Sequence, residues 1–155
     1  MTTAEEMISR KCREPITVRP DTPLSDAIKR MVETKIGAIL VKEDNKIVGI
    51  WSERDLMRNI LIQDFDIRKE KIKTHMSTNL HYISHAATIS EMMDRFLGLF
   101  VRHLLVEKAG AFIGFISSGD VMRASLLEKA EAYKKLKKIT SWNYYENWKW
   151  GKKDR

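Results

Sequence analysis

The chain has 155 residues, 43% of them hydrophobic and 32% charged, which suits one ordinary soluble globular domain or two very small ones. One cysteine, Cys12, excludes an internal disulfide framework and fits a reducing compartment. The net charge of +7 is uneven: residues 129–155 carry nine Lys/Arg against three acids, leaving the body close to neutral and arguing against a nucleic-acid-binding body.

The acidic start, Met1-Thr-Thr-Ala-Glu-Glu6, lacks the basic region and apolar core of a secretory signal, and no apolar run approaches the roughly 18 residues of a membrane span. A cytoplasmic location is expected. Ile16-Thr-Val18 reads as a short β-branched strand. Pro20-Asp-Thr-Pro23 is a turn in which Asp21 or Thr22 is placed to cap a helix started by Pro23. Leu24, Ala27, Ile28, Met31 and Val32 fall on one face of that helix. Ile36 to Val41 is a continuous apolar run, the pattern of a strand buried on both sides. Glu43-Asp-Asn-Lys46 turns the chain into a partner strand, Ile47 to Trp51. Ser52 then has the chemistry of an N-cap, with Asp55 in the first turn of a second helix through Leu56, Met57 and Ile60. The polar stretch 63–73 reads as a linker between a first unit, residues 9–62, and a second, residues 74–128.

The second unit repeats the first. At an offset of 65 residues, positions 17–58 align without a gap on 82–123, with identities at Ser25/Ser90, Arg30/Arg95, Val41/Val106, Gly49/Gly114, Ser52/Ser117, Asp55/Asp120, Met57/Met122 and Arg58/Arg123. Tyr82-Ile83 is the strand, Thr88 caps a helix carrying Ile89, Met92, Met93 and Phe96, and Val101–Val106 and Phe112–Ile116 form the hairpin. Ser117 opens a last helix that runs to about Ile139. Each unit is β-α-β-β-α and too small to bury its sheet alone, so two tandem α+β repeats packed with pseudo-twofold symmetry are expected.

The doubled Gly49-Ile-Trp-Ser-Glu-Arg-Asp55 and Gly114-Phe-Ile-Ser-Ser-Gly-Asp120, with the β-α-β-β-α order, resemble a tandem cystathionine-β-synthase (CBS) domain pair, also called a Bateman module. The resemblance covers about residues 9–128. It implies a stand-alone regulatory module, not an enzyme, that binds an adenosine-containing ligand (AMP, ADP, ATP, S-adenosylmethionine or NAD) between its domains. It implies also a homodimer that signals to a regulated partner protein. Thr17, Ile36, Gly37, Ala38, Ser52, Arg54, Asp55, Ile83, Arg102, His103, Ser117 and Asp120 are the expected ligand-binding positions. Of these, Asp55 and Asp120 suit ribose hydroxyls, and Ser52 and Ser117 stand where a helix start favours phosphate. Arg54, Arg102 and His103 add cations, whereas the first unit has Gly37-Ala38 where the second has Arg102-His103, and the family's pattern implies that the latter side favours phosphate.

No P-loop, nucleophile elbow or dinucleotide glycine fingerprint is present, and His75, His81 and His85 lack a carboxylate or cysteine to complete a metal site, so neither catalysis nor metal binding is expected. The tail holds Trp142, Tyr144, Tyr145, Trp148 and Trp150 among lysines. Such a mixture docks on its own domain or on a symmetry mate, and it also suits nucleic acid or a membrane surface. Two alternatives to the sensor therefore stand: a nucleic-acid-binding protein using this tail on a dimer platform, and a ligand-free structural adaptor.

Overall fold

The computed structural model describes residues 2–11 and 14–139. Cys12 and the aromatic tail lie outside the described residues. The elements are α1 (Ala4–Lys11), β1 (Thr17–Val18), α2 (Leu24–Thr34), β2 (Ala38–Glu43), β3 (Lys46–Ser52), α3 (Glu53–Asn59), α4 (Ile72–His75), β4 (Tyr82–Ser84), α5 (Ile89–Leu99), β5 (His103–Lys108), β6 (Ala111–Ser117) and α6 (Ser118–Ile139).

Two three-stranded sheets, ordered β1-β2-β3 and β4-β5-β6, reproduce the sequence repeat residue by residue. Thr17 pairs in parallel with Leu40 and Leu40 antiparallel with Ile50, while Tyr82, Leu105 and Phe115 do the same 65 residues on. Even the irregularity recurs, between Val41 and Lys42 and between Val106 and Glu107. Each hairpin turns on two residues of positive φ, Asp44-Asn45 and Ala109-Gly110, the backbone that matches the right-handed twist of the strands.

Each sheet buries one face under its own helices. In the first domain, Leu24, Ala27 and Met31 of α2 pack with Ile39, Val41 and Trp51, whose indole N–H donates to Asn59 Oδ1 at 3.0 Å. In the second, Ile89, Met92 and Phe96 of α5 pack with Leu104, Val106, Ile116 and Val121. The opposite faces meet each other: Leu40 and Ile47 from one sheet and Leu105 from the other are buried together, flanked by Ile50, Tyr82, Phe112 and Phe115. The pairing expected from the size of one unit is what seals the molecule.

Three expectations need correction. Asp21 and Thr22 do not cap α2, whose N-cap residue is Pro23. The first amides of α2 are taken by the downstream segment instead: Leu24 N–H donates to the Glu70 carbonyl and Ser25 N–H to that of Ile67, both at 2.9 Å. Val32 is 71% exposed, on the outer side of α2. The stretch 63–73, read as a polar linker, contributes Phe65, Ile67 and the fully buried Ile72 to the first domain's core. Its charges are on the surface, where Asp21 holds Lys71 and Lys73 at 3.3 and 2.8 Å.

The N-terminal helix has the same task in the other domain. The amides of Ile72 and Lys73 at the start of α4 donate to the carbonyls of Thr22 and Pro20, and those of Ala4 and Glu5 at the start of α1 donate to Ala87 and His85. Met76 then lies against Gly49, while Ile8 lies against Gly114, where an added Cβ would meet Ile8 Cδ1 at 2.5 Å. At both positions the absence of a side chain leaves room for one from a lead-in segment, which a Cβ there would push aside. Thus α1 precedes the first domain in sequence and closes the second.

If 63–73 is core, Ile72→Ala should cost about 2–5 kcal/mol in urea-induced unfolding, the range for deleting a buried isoleucine side chain. A change below about 0.5 kcal/mol, the usual surface value, would show that the segment is only a tether.

Candidate ligand-binding cleft

A cleft of about 1540 Å3 runs between the domains, lined by the ends of β3 and β6, the starts of β2 and β5, and α1. That is larger than the pockets that usually hold one drug-sized ligand. Ten of the twelve expected positions line it: Ile36, Gly37, Ala38, Ser52, Arg54, Asp55, Arg102, His103, Ser117 and Asp120. The two short-strand positions do not. Thr17 lies in a separate charged depression beside Arg30, which donates to the Thr17 carbonyl at 3.2 Å. Ile83 packs against the second core. On the first strand's side the cleft is lined by Pro15 and Ile16, just before the two-residue strand, instead.

The two Ser-x-x-Asp motifs form matching latches. Asp55 Oδ2 accepts hydrogen bonds from the Ser52 amide at 2.8 Å and the Ser52 hydroxyl at 2.7 Å. Asp120 Oδ2 accepts the same pair from Ser117 at 2.8 and 2.7 Å. Each carboxylate is thereby fixed in orientation at the point where a strand becomes a helix. The loop before β2 closes this corner through Glu53 N–H donating to the Gly37 carbonyl at 3.0 Å, and Ser118 N–H donates to Arg102 likewise.

The surroundings of the two latches differ. Arg58 Nη1 lies 3.9 Å from Asp55 Oδ1. Asp120 instead carries Lys11, whose ammonium is 2.5 Å from Oδ2. Partial burial would raise the Asp120 pKa, but the Lys11 contact and the Ser117 hydrogen bonds outweigh it and hold the carboxyl below its ordinary value.

His103 corrects an expectation. Its ring stacks on Phe115 with centroids 5.0 Å apart and planes within 8°. Burial first, and the charge of Arg102 second, lower its pKa to about 4, so it is neutral near pH 7 and adds no cation. Charge on that side comes from Arg102 together with Arg10, Lys11 and Arg123, three cleft residues that the motif does not include. The signal for α1 was present: Thr3 and Glu6 form a capping box, with Thr3 N–H donating to Glu6 Oε2 at 3.3 Å and Glu6 N–H to Thr3 Oγ1 at 3.4 Å. What the sequence could not reveal was the domain on which that helix lands. Of the sequence's clustered histidines, His75 contacts Glu70 at 2.9 Å and Phe65 edge-on, and His85 faces Glu5 at 4.0 Å. No helix among the described residues is long and apolar enough to cross a membrane.

Two sheets paired back to back, each ending in the same serine–aspartate latch beside a shared cleft, define a tandem pair of small α+β domains. The family profile for the CBS domain matches residues 5–62 and 70–127, and the chain belongs to the CBS-domain family as a tandem pair. It is 30% identical over 121 residues to the mitochondrial CBS domain-containing protein CBSX3 of Arabidopsis thaliana, covering 75% of this chain and 59% of that protein. The chain therefore spans less than two thirds of this curated relative. A crystal structure of a CBS-domain-containing protein from Agrobacterium tumefaciens superposes with a TM-score of 0.75 at 32% identity, covering 80% of this chain and 99% of that one. The structure of CBSX2 in complex with AMP shares the fold at 23% identity, TM-score 0.66, covering 83% of this chain and 99% of that chain.

An imidazole held neutral by burial has a distinct titration. The His103 ring signals in NMR should show a midpoint near pH 4, against the ordinary 6.5. The unfolded chain takes up this proton near 6.5 and the folded chain only near 4, so stability is lost as pH falls through that window. His103→Gln should remove this share of the acid destabilisation. An ordinary midpoint for His103 would mean that the stack is open to water.

Proposed function

We propose that this chain is a regulatory CBS pair that binds an adenosine-containing ligand, such as AMP, ADP or ATP, in the cleft between its domains and signals occupancy to a partner protein. The observation that carries the reading is the pair of latches. Two carboxylates, each fixed through Oδ2 by the amide and hydroxyl of the serine three residues earlier, border one cleft. A carboxylate so held accepts hydrogen bonds from a vicinal diol, the feature shared by every ribose. Arg54, Arg58, Arg102 and Arg123 supply cations for phosphate, and Ile16, Ile36 and Val101 supply apolar surface for a base. The CBSX2 complex with AMP, at the same fold, supports this ligand class.

Ligand contacts with both domains would favour one relative orientation of the two sheets, and that differential affinity is what a partner would read. No bond is made or broken in this reading: the module binds and reports. The unit of assembly is a homodimer, since Met57 on α3, Ile60 just past its end and Leu126 on α6 are all more than half exposed and a second copy would cover them.

Thermal melting of the full chain against AMP, ADP, ATP, S-adenosylmethionine and NAD tests the reading. A ligand at a hundredfold excess over its Kd should add about 2.7 kcal/mol of stability. Asp55→Ala and Asp120→Ala should each abolish part of that gain, in a protein that sediments at twice the chain mass. A melting temperature indifferent to all five ligands would contradict the reading and favour a structural adaptor.

A further inference from the structure

One group in the cleft has no counterpart in the repeat. α4 has four residues and ends at His75, after which Ser77 pairs backbone to backbone with Ile50 on β3. α1 begins in the equivalent way but has eight residues, and its extra turn carries Lys11 to the matching place on β6. There the Lys11 ammonium donates to the carbonyl of Phe115, the counterpart of Ile50, at 2.9 Å and rests on Asp120 Oδ2 at 2.5 Å. One oxygen of Asp120 thus serves the Ser117 amide, the Ser117 hydroxyl and Lys11 together. Asp55 Oδ2 serves the Ser52 amide and hydroxyl alone, and the cation paired with Asp55 among the described residues is the more distant Arg58, at its other oxygen.

We propose that Lys11 sets the ligand specificity of the Asp120 half of the cleft, as a resident ammonium that a ribose must displace, so that this half accepts adenosine ligands carrying a phosphate and rejects those without one. The proposal rests on the adenosine reading above and names the ligand class within it. A diol arriving at Asp120 competes with three donors. Two belong to Ser117, locked in the same tight turn. The third is on a flexible four-carbon stem, and it is the one that yields. Lys11 can swing while α1 stays in place, because the helix is held elsewhere: by the Ala4 and Glu5 amides, by Glu5 with Lys108 at 2.6 Å, and by Ile8 over Gly114.

The released ammonium enters a cleft that already holds Arg10, Arg102 and Arg123. A ligand phosphate gives it a new partner and offsets the like charges. Adenosine offers none, and the sulfonium of S-adenosylmethionine adds another cation.

Calorimetric titration of the full chain in the Asp55→Ala background isolates the Asp120 half, with adenosine, AMP and S-adenosylmethionine as probes. AMP should bind at least about tenfold more tightly than adenosine, the scale of one charge-assisted hydrogen bond. Adding Lys11→Met, or Lys11→Gln should that variant fold poorly, should narrow the ratio severalfold, with adenosine gaining and AMP losing, while the remaining arginines keep some preference for phosphate. A ratio unchanged by either substitution would overturn the role of Lys11 and leave the adenosine reading intact. So would equal binding of AMP and adenosine in Asp55→Ala alone, or binding in the unmutated chain that disappears in Asp55→Ala. No binding by any probe to the unmutated chain would overturn the adenosine reading and this proposal together.

Discussion

Each of the two sheets has two apolar faces, but the helices of one domain can cover only one of them. Leu40 and Leu105, at the centre of β2 and β5, are 1% exposed because each sheet supplies the other's missing cover. From this one packing contact the rest follows. It fixes the pseudo-twofold relation of the domains, and the relation brings the ends of β3 and β6 to the same cleft. Since both strands end in serine followed three residues on by aspartate, the cleft acquires two oriented carboxylates at once. The cleft lies between the domains, and the sheet contact is therefore as necessary to the proposed binding as the latches are.

The symmetry is broken by the lead-in segments. Both domains need an outside segment to occupy the space over a glycine of the last strand, Gly49 or Gly114, and to satisfy carbonyls in the turn before the first helix. For the first domain this comes from residues between the repeats, and for the second from the N-terminus. The chain thus crosses between domains twice. The difference of four residues between α4 and α1 decides whether a backbone or a lysine side chain meets the last strand, and so gives two otherwise equal latches different electrostatics.

The repeat and its latches were legible in the sequence because their determinants are local. A serine and an aspartate three apart hydrogen-bond within one turn, and a hairpin needs only its two positive-φ residues, so the offset of 65 carries over to every strand pair. What stayed hidden depends on partners far away in the chain. Asp21 and Thr22 are good capping residues, but the amides of α2 are filled by carbonyls at 67 and 70, more than 40 residues downstream. Residues 63–73 look polar because their lysines and acids outnumber Phe65, Ile67 and Ile72, yet those three are enough to bind the segment to the core. His103 reads as a cation until its burial against Phe115 is known. Thr17 and Ile83 fell outside the cleft for a similar reason: in strands of two and three residues, a shift of one position exchanges the cleft for another surface.

The central claim, that oriented carboxylates between two paired sheets hold a ribose, is tested most directly by a crystal structure of the full chain grown with AMP. Density for the ribose should lie with its 2′ and 3′ hydroxyls against the carboxylate of Asp55 or Asp120, with the phosphate toward Arg54, Arg102 or Arg123. Where Asp120 is the occupied latch, the Lys11 ammonium should have left Oδ2. A nucleotide bound anywhere else, with both latches as they are in the free protein, would contradict the claim.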